Sequence, residues 1–201
     1  MKRSLLVMVA VVLGGCLGES SDGPDAGVLE SDQLTPVGVS QLPGVESIAR
    51  AMEWVDVQLH YCQAPNHQRD YDAACATYCD RLDNAAWDPY RSDCSGLVSW
   101  AWKLPPPGRV TGELAPFKTD LTYSIVATDL HQGDAVNNSD HIMLFEKWDT
   151  KPTKATFIEE PGCSSSQPYA RKFSATVMAM GKTIIVSGYG TFTAIRYDEA
   201  P

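Results

Sequence analysis

A cysteine that opens an amphipathic run, a histidine at the mouth of a strand-like run and a carboxylate at the end of the next are the residues of this chain best suited to covalent chemistry. Cys94 stands in Ser92-Asp93-Cys94-Ser95-Gly96, with Leu97, Trp100, Ala101 and Leu104 following on one helical face. That places its thiol in a first helical turn, where unpaired N–H groups and the helix dipole favour a thiolate. A thiol nucleophile needs a base, and His141 is the best placed of the four histidines. It follows a Gly133-Asp134 turn and the polar stretch Asn137-Asn138-Ser139-Asp140, and it begins Ile142-Met143-Leu144-Phe145. The imidazole in turn needs a polar group to hold it, and Phe157-Ile158-Glu159-Glu160-Pro161 ends in two carboxylates. Side chains alternate along a strand, so only one of Glu159 and Glu160 can reach the ring. Each residue also has a plainer reading alone: an inert core cysteine, a surface histidine, a solvated carboxylate.

Together the motifs are recognisable. Asp93-Cys94-Ser95-Gly96-Leu97-Val98-Ser99-Trp100-Ala101-Trp102, then Gln132-Gly133-Asp134-Ala135-Val136 with His141 to Phe145, then Phe157 to Pro161, resemble in order and spacing the NlpC-type cell-wall cysteine peptidases. The resemblance spans roughly Val45 to Tyr197. It implies a papain-like α+β domain that hydrolyses peptidoglycan stem peptides, typically between D-glutamate and the diamino acid, without metal or organic cofactor. By position it implies Cys94 as nucleophile, His141 as base and Glu159 as the orienting group. The family often has His at that last position, so Glu159 is a departure. Asp93 and Ser95 match residues that, in members specific for free amines, hold the N-terminal L-alanine of the substrate; capping of the helix is the equal alternative. Two rivals remain: a CHAP-like amidase or endopeptidase acting on intact wall, and a lipid-anchored wall-binding protein that has lost catalysis.

The rest of the chain says where such a protein would live and what would carry the site. Lys2 and Arg3 precede the apolar run Leu5 to Leu13, which is too short for a permanent membrane span, and Leu13-Gly14-Gly15-Cys16 resembles the bacterial lipobox. The expectation is an exported lipoprotein: a signal segment at 1–15, a lipidated Cys16 with a tether to residue 44, and one domain at 45–201. Leu17 after the cysteine favours the outer membrane, with the domain facing the periplasm or the cell surface. A net charge of −9 makes nucleic acid an unsuitable partner; the expected partners are stem peptides and, through Cys16, the membrane, for a monomeric domain.

Of the six cysteines, Cys62, Cys75, Cys79 and Cys163 have polar or turn-forming neighbours. In an oxidising compartment they read as two disulfides, one of Cys75 and Cys79 bonded to Cys62 and the other to Cys163. A zinc site from Cys62, His67, Cys75 and Cys79 competes, though its spacing matches no CxxC framework. Val45, Ile48, Met52, Val55 and Leu59 predict a helix with one buried face, Ala73 to Leu82 a shorter second one, and Cys94 onward a third that stops at Pro105-Pro106-Pro107. Six strands are predicted after that, at 134–136, 141–148, 155–160, 170–177, 182–186 and 191–197. Helices first and strands afterwards imply α+β, with the helices packed on a central antiparallel sheet or half-barrel.

Overall fold

A computed structural model describes residues 43–64, 70–73, 75–79, 81 and 84–198. The expected signal segment, Cys16, the tether to residue 42 and His67 lie outside the described residues. Among those described, no helix is long and apolar enough to cross a membrane.

The first helix, α1 (Pro43–Asp56), starts on a proline, whose fixed φ and missing N–H suit a first helical position. Its buried face is Ser47, Ile48, Ala51 and Trp54. The predicted stripe is therefore rotated: Val45 is exposed and Met52 and Val55 only border the core, because the large Trp54 takes the central position. The predicted helix at 73–82 is instead a hairpin, β1 (Asp70–Asp72) paired antiparallel with β2 (Thr77–Cys79). Helix α2 (Cys94–Ala101) is buried along its whole length. Its Trp100 stacks on Trp54 at 6.4 Å and meets Trp87 and Tyr90 edge-on. A fully buried large apolar side chain contributes about 1.5–3 kcal/mol, so this aromatic cluster is what holds α1 against α2.

Seven strands follow: β3 (Thr122–Ser124), β4 (Ala135–Asn137), β5 (Ile142–Thr150), β6 (Lys154–Glu159), β7 (Arg171–Met180), β8 (Thr183–Val186) and β9 (Gly190–Tyr197). All neighbours are antiparallel, in the order β3-β9-β4-β5-β6-β7-β8. One further pairing decides the architecture. The first half of β9 pairs with β8 (Thr183 with Thr193, Val186 with Gly190) while its other edge pairs with β4. Strands β4 to β9 thus close into a six-stranded barrel, and β3 lies outside it on the second half of β9.

This overturns the expected papain-like α+β class with helices packed on an open sheet or half-barrel: the domain is mostly β, with two α-helices among the described residues. The physical reason is visible in the strands. Val136, Met143, Phe145, Ala155, Phe157, Val177, Ile184, Val186, Phe192 and Ala194 form one apolar cluster, and Ala135, Ile142, Leu144, Ile158 and Ile195 belong to another shared with the helices. Alternate residues therefore fill a barrel interior and an outer layer, and six strands enclose only enough space for side chains. Register shifts in β5 after Phe145 and Trp148 supply the bends that closure requires.

Candidate active site

Helix α2 begins at Cys94 because Asp93 caps it. The Asp93 backbone is extended, and its Oδ1 accepts from Gly96 N at 2.6 Å and from Ser95 Oγ at 2.9 Å. Its Oδ2 accepts from Arg91 Nε at 2.9 Å. Both Asp93 oxygens and the Ser95 hydroxyl are thus occupied in shaping the helix start. Gly96 is required by contact: a Cβ there would overlap the Arg91 carbonyl. Cys94 is the free cysteine among the described residues and is 8% exposed.

Backbone N–H groups of Ile142, Ser95 and Cys94 itself reach its sulfur, yet burial, with help from the Asp93 carboxylate, pushes the thiol up to about 12. Burial thus works against the expected thiolate: desolvation at this site outweighs the helix start.

The Ile142 contact brings the histidine into the site, since His141 is the residue before it. A tight β4–β5 connection holds His141, with Asn138 Oδ1 accepting from its backbone N at 2.8 Å and Asn138 N donating to its carbonyl at 3.0 Å. His141 Nε2 lies 2.7 Å from Glu159 Oε2, at the last residue of β6. With Nε2 on the carboxylate, Nδ1 is the nitrogen left to act as base.

Glu159 is completely buried. Burial pushes its carboxyl up, but hydrogen bonds with His141, Tyr189 and Arg171 outweigh that and hold it below its ordinary value. Its neighbour Glu160 points elsewhere and does not touch the imidazole.

Three residues at this site carried no sequence signal. Tyr189 Oη donates to Glu159 Oε1 at 2.5 Å, and Arg171 Nε donates to the same oxygen at 2.8 Å. Tyr61, buried beside Asp93 and Cys94, has a phenol raised by burial and by those two groups, and its oxygen accepts from Gln63 Nε2 at 2.8 Å.

The other four cysteines among the described residues are bonded, Cys62 to Cys79 and Cys75 to Cys163, which is the expected pairing pattern with its open choice resolved. Three of the four ligands of the zinc alternative are thereby spent. Both disulfides adjoin the site: Cys62 N donates to Ser92 O at 2.8 Å, two residues before the nucleophile, and Cys163 lies four residues after Glu159.

A cavity of about 570 Å³ lies elsewhere, lined by Trp102, Tyr123, Arg196 and Tyr197 among others, and none of Cys94, His141 or Glu159 borders it. Its Arg196 is already bound by Asp134 through two nitrogens at 2.8 Å each, so the charge there is internally neutralised. Compared with known proteins, the chain matches no family model, no curated protein and no solved structure.

Proposed function

We propose that this protein is a cysteine peptidase that hydrolyses amide bonds of peptidoglycan stem peptides, with Cys94 as nucleophile, His141 as base through Nδ1 and Glu159 as the group that orients it. One observation carries the reading: the 2.7 Å contact of His141 Nε2 with Glu159, made where the next backbone amide, that of Ile142, meets the Cys94 sulfur. The resemblance of the three motifs to NlpC-type enzymes supports the substrate class, independently of any fold class.

With burial favouring the thiol over the thiolate, attack and proton transfer go together. As Sγ adds to the amide carbon, its proton passes to His141 Nδ1, and backbone N–H groups at the start of α2 stabilise the oxyanion. The imidazolium, held by Glu159, then protonates the leaving amine. Water, deprotonated by the same nitrogen, hydrolyses the thioester.

Asp93 has its oxygens on Gly96, Ser95 and Arg91, which favours its role as a cap over recognition of a free amine, and with it cleavage of stem peptides still attached to glycan. A second reading has its own observation: a cysteine this buried, with its thiol pushed up to about 12, suits a wall-binding protein that has lost catalysis. Mass spectrometry of purified peptidoglycan after incubation with the protein and with Cys94→Ala separates them. The peptidase reading expects new termini between D-glutamate and the diamino acid, absent with C94A. A cut at the amide joining glycan to peptide would identify an amidase, and no Cys94-dependent product would leave the binding protein.

A further inference from the structure

We infer that Tyr189 and Arg171 are positioning residues for this site: both bind Oε1 of Glu159, so that Oε2 stays on His141 Nε2 and Nδ1 is the nitrogen left to act as base. The kinetic part of this inference rests on the peptidase reading; the geometric part does not.

Glu159 is 0% exposed, and a carboxylate so buried persists as an anion only if its lone pairs are filled. The imidazole fills those of Oε2 alone. If Oε1 were free, the carboxyl could take up a proton or rotate, and either change would release Nε2 and allow the other tautomer. Three donor contacts prevent this. Tyr189 Oη and Arg171 Nε both donate to Oε1, and Arg171 Nη2 donates to Tyr189 Oη at 2.9 Å, so the two donors also brace each other.

Tyr189 touches the histidine as well. Its ring lies parallel to the imidazole, 12° apart with centroids at 6.2 Å, and on its other contact stacks on Phe173 at 4.8 Å. The turn that delivers it from β8 to β9 is flanked by Gly188 at φ 84° and Gly190 at φ 106°, conformations that side-chain-bearing residues rarely adopt. Three consecutive residues are therefore committed to placing one phenol over the site.

The groups around the imidazole come from every neighbouring element. They are Glu159 of β6, with Arg171 of β7 behind it, Tyr189 of the β8–β9 turn and Phe192 of β9; Cys94 and its neighbour Asp93 approach through the Ile142 amide, and Glu160 faces Asp93 and Glu159. Arg171 is the cation among them, and it offsets the charge of Glu159. Loss of either donor leaves the carboxylate more basic, so the imidazole holds a proton more tightly and the base is disabled to a higher pH.

The test compares Tyr189→Phe, Arg171→Gln and Arg171→Lys with wild type in two ways. In kinetics on a stem-peptide substrate, Y189F should lower kcat about three- to ten-fold at neutral pH with KM unchanged, and move the acidic limb of kcat/KM up by about half to one pH unit. R171Q should do the same or more, and R171K, which keeps the charge, should restore most of the limb. In ¹⁵N spectra of the imidazole, assigned by its loss in His141→Gln, wild type should show the Nε2–H tautomer and Y189F and R171Q a mixture. An acidic limb and a tautomer both unchanged in Y189F and R171Q would overturn the inference, as would an effect on KM alone. Absence of Cys94-dependent hydrolysis by wild type would instead remove the peptidase reading, and the spectra, which need no turnover, would still decide the inference.

Discussion

Glu159 and Glu160 are adjacent in sequence and equally buried, but their surroundings push their carboxyls in opposite directions. Glu159 meets three donors and stays ionised. Glu160 has no hydrogen-bond partner on either carboxyl oxygen among the described residues, and burial, then Asp93, then Glu159 push its carboxyl well above the usual range. A carboxyl whose pKa is raised by folding binds its proton more tightly in the native state. Its contribution to stability is complete below about pH 4.3, the unfolded value, and is lost as pH rises toward the folded one. Glu160→Gln keeps the shape and removes the titration. It should stabilise the protein at pH 7 and make far less difference at pH 4, as measured by urea unfolding at the two pH values. Equal effects at both would mean that Glu160 does not titrate differently in the fold. The same alternation along β6 separates the two residues in turnover. Glu159→Gln should cost one to three orders of magnitude, as loss of a tautomer-fixing partner does elsewhere, while E160Q should remain close to wild type. A larger loss in E160Q would place the imidazole's partner one residue further on.

At the scale of elements, α2 and strands β4 to β9 were legible because each is a short periodic run with clear punctuation, and the order of Cys94, His141 and Glu159 along them was readable as a site. The hairpin β1–β2 was not. Its three-residue strands are too short to show a period, and Cys75 and Cys79, four apart, also fit one helical face. Arg171 and Tyr189 were hidden for a different reason: an arginine at a strand start and a tyrosine in a turn have no local pattern, and it takes the β6–β7 register to set Arg171 opposite Glu159 and the β8–β9 turn to bring Tyr189 to the same carboxylate. The hairpin's disulfides tie it to the two segments that carry the site, since Cys62 pairs with Ser92 and Cys163 follows Glu159. Replacing Cys62 and Cys79 together with Ser should cost about 2–4 kcal/mol, read as a lowered denaturation midpoint. The bridge pairing of Cys62 and Ser92 should loosen with it, and so the alkylation rate of Cys94 should rise. An unchanged alkylation rate would show that the helix start is held by Asp93 and Arg91 alone.

For the whole molecule, closure of the barrel is the feature that the sequence pattern concealed, because alternating strands read the same in an open sheet. The difference lies in who has an edge. In an open antiparallel sheet of the same order, β8 would end the ladder on one side, and its outer N–H groups would exchange with solvent by fraying. Here β8 is paired on both sides, with β7 through Val177 to Met180 and with β9 through Gly190 to Thr193, while β9 is paired with β4 on its far edge. Its Ile184 and Val186 are buried against Phe192, so the closing seam is also packed. Amides of Thr183–Val186 and Gly190–Thr193 that point along the ladder should therefore be protected from hydrogen exchange to within about ten-fold of those in the β5–β6 pair, because both open only with the barrel as a whole. Residues of β3, which hangs on β9 by one edge, should exchange much faster and serve as the internal reference. Protection in β8 as weak as in β3 would mean that the seam is open in solution. The Tyr189 turn that the β8–β9 hairpin carries would then no longer be held over His141, and positioning of the imidazole would fail along with closure.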